Sequence, residues 1–197
     1  YEMGLCTSDP LAGTSIDSNE NVTTDNTISE SSCTPTFQSL SGSLVDLGGN
    51  ATQTLTGNNF RPPNGTYPHA YIKIKNTFGL KGAYQINGNT FYSSSDGSPV
   101  AESQHSEFDE NLMDFNNGKT CSGSPELAGA DVFTTGVKGT MKAVLAQVSG
   151  GNLGTYTADS SCGSSTHLFG SFQPTSPVII TNQTQGMEVN FSITGRG

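Results

Sequence analysis

The sequence has no tryptophan, four cysteines in 197 residues, and little charge of either sign. Basic residues are the scarcest: 8 Lys and Arg stand against 17 Asp and Glu, giving a net charge of -9 that repels phosphate backbones and anionic lipid surfaces. A nucleic-acid partner is therefore excluded. Long hydrophobic runs are also missing. The most apolar stretches, around Val144 and Ile179, are broken by polar groups within a few positions, so no membrane span is expected. Neither a G-x-G-x-x-G nor a G-x-x-x-x-G-K phosphate loop occurs, and there is no G-x-S-x-G elbow. His69, His105 and His167 lie in contexts that give none of them a base role.

What fills the chain instead is 24 glycines and long Ser, Thr and Asn tracts, so solubility rests on neutral polar groups. A chain of this length can bury roughly 70% of its unfolded surface and is read as one domain, residues 1–197. The composition suits an extracellular β-protein. Cys6, Cys33, Cys121 and Cys162 are too widely spaced for a redox or zinc motif, which leaves disulfides or buried thiols. Four cysteines allow three pairings. The sequential one, Cys6 with Cys33 and Cys121 with Cys162, is expected because each bridge would staple a loop rich in Gly, Ser and Asn, contributing about 3–4 kcal/mol through loop-closure entropy. The first residue is Tyr1 rather than Met, so removal of an export signal, or trimming of the chain, is expected.

Two polar loops are expected, near residues 8–36 and 93–129, the second acidic and containing one helical turn around Phe108, Leu112, Met113 and Phe115. Strand character is clearest where Met187, Val189, Phe191 and Ile193 alternate with polar residues. Ala70, Ile72 and Ile74 alternate in the same way with Tyr71, Lys73 and Lys75. Asn87-Gly88, between Gly82–Ile86 and Asn89–Tyr92, predicts a tight hairpin because both turn residues need positive φ. Further strands are expected at Ser43–Leu47, Asp131–Thr135, His167–Phe172 and Val178–Thr181. Met141–Val148 fits helix or strand, with strand favoured. Many short strands with almost no helix predict an all-β fold: an antiparallel two-sheet β-sandwich with long polar loops, stapled by disulfides.

Leu5-Cys-Thr-Ser, Pro63-Asn-Gly-Thr-Tyr-Pro-His69 and Ser176-Pro-Val-Ile-Ile-Thr181 resemble segments of exported, uncharacterised β-rich surface proteins of aquatic bacteria. Gly65-Thr-Tyr67 with its alternating strand also resembles prealbumin-like sandwich domains on bacterial surfaces. The resemblance covers about a third of the chain; it implies export and a sandwich, and carries over no catalytic residue.

The functional expectation is a secreted structural or adhesive protein at the cell surface, not an enzyme: a filament subunit that self-associates by strand exchange at its chain ends. The assembly residues would be Tyr1, Met3 and Leu5 at one end and Met187, Val189, Phe191 and Ile193 at the other. The alternatives come from other classes. One is a carbohydrate- or calcium-binding module, taking glycan on Tyr67, Tyr71, Tyr84 and Tyr92, or calcium as its only cofactor on Asp109, Asn111, Asp114 and Asn116. Another is a secreted hydrolase pairing Glu107 with Asp109 or Glu110.

Overall fold

The computed structural model describes residues 1–15, 22–46, 53–101, 105–112 and 139–186, and among them there is no helix. The strands are β1 (Glu2–Cys6), β2 (Cys33–Gln38), β3 (Asn58–Asn59), β4 (Gly65–Tyr67), β5 (His69–Lys75), β6 (Thr77–Leu80), β7 (Ala83–Ile86), β8 (Asn89–Ser93), β9 (Pro99–Val100), β10 (Phe108–Asn111), β11 (Gly139–Ser149), β12 (Thr155–Ala158), β13 (His167–Pro174) and β14 (Val178–Ile180). Seven form one sheet in the order β12-β11-β13-β5-β1-β2-β3, and every adjacent pair is antiparallel. Three small sheets accompany it: β6 with β10, β4 with β14, and β7-β8-β9. The disulfide-stapled, antiparallel, multi-sheet all-β architecture read from the sequence is the one that forms.

The large sheet is covered on both faces. On one face Cys6, Tyr71, Val144, Ala146, Tyr156, Ala158 and Phe169 pack under Leu11, Val22 and Ile28, which come from the polar segment between β1 and β2. This segment is therefore a strap over the sheet, anchored among its described residues through Leu11, Val22 and Ile28. Cys6 and Cys33, paired in register on β1 and β2, close it with a disulfide. Asp9 ties it to the far strands, accepting from Ser171 Oγ at 3.0 Å and from Lys142 Nζ at 3.3 Å. On the opposite face Leu5, Tyr67 and Ile180 form one cluster, and Leu145 and Cys162 a second, with Leu112 against it. Cys162 is disulfide-bonded; Cys121, its expected partner, lies outside the described residues.

Several local expectations hold and others do not. Asn87 and Gly88 take φ of 50° and 82° and join β7 to β8, as the Asn-Gly signal requires. Residues 141–148 lie in β11, and residues 167–172 and 178–180 in β13 and β14. Residues 43–46 form no strand: Leu44 is 98% exposed, and the Asp46 backbone is satisfied by the Gln53 side chain instead of a neighbouring strand. Phe108 opens a strand, because residues 108–111 find the edge of β6; Met113 and Phe115, part of the expected helical turn, lie outside the described residues. Residues 131–135 and 187–194 lie outside the described residues.

The terminal strand also differs from expectation. β1 lies between β5 and β2 with main-chain pairing on both sides, so Tyr1, Met3 and Leu5 present no free edge. Leu5 is fully buried in this chain's own sheet.

The strap's dependence on its bridge can be measured. Replacing both Cys6 and Cys33 with Ala should lower the unfolding free energy by about 3–4 kcal/mol, the loop-closure value for a separation of 27 residues. Urea denaturation of the variant against the parent chain reads this directly.

Candidate functional site

Under the strap the sheet holds a charge cluster where an apolar core would be expected. Val144, Phe169, Lys73, Glu2 and Gln38 occupy one continuous row across β11, β13, β5, β1 and β2. Lys73 is 1% exposed and Glu2 4%. The Lys73 ammonium lies 2.9 Å from Glu2 Oε1 and 2.5 Å from Glu30 Oε2, the latter descending from the strap. Its remaining surroundings are aromatic, with the Tyr156 ring centroid at 4.8 Å and that of Tyr71 at 5.8 Å. Ring faces attract a cation, so the cluster is walled by groups that favour its charge without hydrating it.

The two carboxylates are held differently. Glu2 accepts from the Tyr71 hydroxyl at 2.8 Å on Oε1 and from Gln38 Nε2 on Oε2, so both oxygens are committed. Glu30 has Lys73 on Oε2, and its side chain keeps 27% exposure toward solvent. Burial pushes the Glu30 carboxyl above its ordinary 4.5, against the pull of Lys73. Burial and the neighbouring carboxylates also push the Tyr71 and Tyr156 phenols upward, so both remain neutral hydrogen-bond donors. The Tyr156 hydroxyl donates to the Asn152 carbonyl at 2.7 Å.

Gly4 makes this arrangement possible. A Cβ there would meet Tyr71 Cε1 at 2.5 Å and the Thr34 carbonyl at 2.3 Å. With only hydrogen at that position, the Tyr71 ring lies across β1 and its hydroxyl reaches Glu2. Phe169 stacks on the other side of Tyr71, with centroids 5.7 Å apart.

A second buried carboxylate, Asp159, organises the turn that carries Cys162. It accepts from Ser161 N and Oγ, Ser164 N and Ser165 Oγ, at 2.8 to 3.1 Å. Burial opposes ionisation, yet these donors hold its carboxyl below the ordinary 3.8.

The residues expected to carry chemistry are dispersed. Asp109 and Asn111 are exposed on β10, where the Asn111 side-chain oxygen accepts from Thr77 Oγ1 at 2.7 Å. Asp114 and Asn116 lie outside the described residues, among which no cluster of metal ligands occurs. Asp109 and Glu110 are strand neighbours on β10 and point to opposite faces, so the two cannot both face Glu107, whose carboxylate lies beside Gly79 of β6. The tyrosines form no shared platform: Tyr67 and Tyr71 are buried on opposite faces of the large sheet, Tyr84 stacks on Phe91, and Tyr92 stacks on His105. Leu80, Lys81, Tyr84, Tyr92, Pro99 and Phe108 line an open groove of about 450 Å³.

Glu2, Glu30, Lys73 and Asp159 were not singled out by sequence reasoning. In the alternation of β5, Tyr71 and Lys73 fall on the face opposite Ala70, Ile72 and Ile74, and they are its two most buried side chains. The strap covers the face on which they lie. A lone lysine between Tyr71 and Ile74 in a chain with 8 basic residues was the available signal. In comparisons with family models, curated proteins and solved structures, nothing matches this chain.

Two outcomes follow from the geometry. Lys73→Met would leave the buried Glu2 carboxylate beside Glu30 without a counter-charge and should cost about 3–5 kcal/mol in chemical denaturation. His167 is held below its ordinary 6.5 by burial, and its Nε2 is buried without a hydrogen-bond partner. The unfolded chain therefore takes up that proton at higher pH than the folded one. The contribution is complete above 6.5 and is lost as the pH falls toward the folded value, so unfolding free energy should rise with pH through this window. In His167→Asn that part of the slope should disappear.

Proposed function

We propose that this protein is an extracellular structural or adhesive surface protein that assembles with copies of itself by strand pairing. The observation that carries the reading is the state of its sheet edges. On the large sheet, β12 is covered by residues 26–28: Ile28 N donates to the Tyr156 carbonyl at 2.8 Å and Ala158 N to the Asn26 carbonyl at 2.9 Å. The other edge, β3, is two residues long. Such devices are how β-proteins avoid unwanted pairing.

β7 has neither device. All four of its residues are exposed, Tyr84 at 49% and Ile86 at 50%, and among the described residues its outer edge pairs with nothing. Exposed Phe78 and Leu80 on the preceding strand extend the apolar surface. The segment suited to add there is 187–194 of another copy, whose Met187, Val189, Phe191 and Ile193 alternate with polar residues. The Cys6–Cys33 bridge and the resemblance to exported surface proteins support a place outside the cell.

In an Asn-Gly hairpin the residues flanking the turn form a hydrogen-bonded pair, so Ile86 and Tyr84 bond to β8 and the Gln85 N–H faces outward. Gln85→Pro removes that donor while leaving the hairpin's own bonds in place. The parent chain should show concentration-dependent assembly in sedimentation and electron microscopy, whereas Gln85→Pro and a chain ending at Gly186 should stay monomeric with unchanged circular dichroism. A parent chain that is monomeric at every concentration would refute the reading.

A further inference from the structure

The charge cluster has the composition of a reaction site as well as that of an ion pair. A primary amine is held 2.5 Å from one carboxyl oxygen and 2.9 Å from another, with aromatic rings in place of solvent. In water an amine and a carboxylic acid stay apart because their ionised forms are strongly hydrated. Here the two groups are fixed in contact and walled by aromatic rings in place of bulk water. Fixing the groups in contact supplies the remaining advantage, since well-oriented intramolecular reactions reach effective concentrations on the order of 10⁵–10⁸ M.

We propose that Lys73 and Glu30 become joined by an intramolecular amide bond, with Glu2 relaying the proton. The roles follow from how each carboxylate is held. Glu2, with Tyr71 and Gln38 holding its oxygens and Oε1 2.9 Å from the Lys73 nitrogen, is placed to take a proton from that nitrogen and acts as base. Glu30 has fewer partners, its carboxyl is pushed up by burial, and its partial exposure gives a departing water a way out.

The step balances without a co-reactant. Lys73 passes one proton to Glu30, leaving a neutral amine and a carboxylic acid. The Nζ lone pair attacks Glu30 Cδ, forming the C–N bond as the C=O pair moves onto oxygen. Glu2 takes a proton from the nitrogen and delivers it to the Glu30 hydroxyl. The C–OH bond breaks, the carbonyl re-forms and one water leaves. Glu2 is returned as the carboxylate, and no atom changes oxidation state. The product ties the strap covalently to β5, near the middle of the seven-stranded sheet. This bond does not depend on assembly, so its presence or absence leaves the strand-pairing reading untouched.

Mass spectrometry of the full-length, folded and then reduced chain tests the bond. The intact protein should be lighter than its sequence by one water. A tryptic digest should show no cleavage after Lys73 and should give one branched peptide joining the Lys73 and Glu30 segments. Glu30→Ala, altered at the solvent side of the cluster, and Lys73→Met should have their full sequence masses. Glu2→Gln should fold by circular dichroism, form the Cys6–Cys33 bridge, and condense slowly or not at all. If Lys73→Met does not fold, Glu30→Ala carries the comparison. A parent chain of full sequence mass in the natively folded, oxidised state overturns the proposal. So does a water loss that maps elsewhere or persists in Glu30→Ala.

Discussion

The contact between Lys73 and the two glutamates fixes more of this structure than any apolar cluster. A buried cation surrounded by Tyr71, Tyr156, Glu2 and Glu30 accepts very few alternative arrangements. Shifting β5 by one residue against β1 would carry Lys73 to the opposite face, leaving Glu2 and Glu30 buried without a counter-charge. Hydrophobic contacts in this sheet would tolerate such a slip better, since Ile72 and Ile74 flank Lys73. The cluster is costly to desolvate and adds little net stability, but it specifies register between central strands and places the strap over one face.

The strap explains how a chain so poor in hydrophobic residues covers a seven-stranded sheet. Between β1 and β2 the described residues contribute Leu11, Val22 and Ile28 to the core, and the rest of the attachment is polar: Asp9 to Ser171 and Lys142, Glu30 to Lys73, and main-chain bonds from Ile28 and to Asn26 along β12. Where a typical domain lays a helix or second sheet over the first, this one uses loop backbone held by ions, hydrogen bonds and a disulfide. The same segment caps the β12 edge, so core covering and edge protection come from one stretch of chain.

This economy is why the sequence was only partly legible. Period-two alternation and turn chemistry are local, and they led correctly to β11, β13, β14 and the Asn87-Gly88 hairpin. Which face of β5 is buried is not local. It depends on a strap whose composition resembles that of disordered segments, so period-two alternation alone does not reveal that Tyr71 and Lys73 are covered. The Cys6–Cys33 pairing was readable because two cysteines bracket that polar stretch, but the reach of Glu30 to Lys73 across 43 positions of sequence has no periodic signature. Likewise Asp159 looks like one more polar residue in a Ser-rich turn until its four donors are seen together. The acidic stretch near Asp109 invites a metal reading from the sequence alone, whereas strand pairing with β6 disperses its oxygens.

The position of the cluster along the chain connects it to the exposed edge. β5 runs through Asn76 directly into β6, and β7 follows after two residues, so a partner strand on β7 would pull on β5 through a short covalent path. β5 is anchored on both sides by antiparallel ladders to β1 and β13. Hydrogen bonds in such ladders lie perpendicular to the strand, so a pull along β5 loads several of them in shear together. Lys73 adds a restraint of a different kind, because it links β5 to the covering layer and not to a neighbouring strand. Sliding β5 would have to separate a buried cation from the buried Glu2 carboxylate and from Glu30 of the covering layer. Under the proposed pairing at β7, load would pass to the strand anchored on both sides and by Lys73, because β5, β6 and β7 follow one another along the chain.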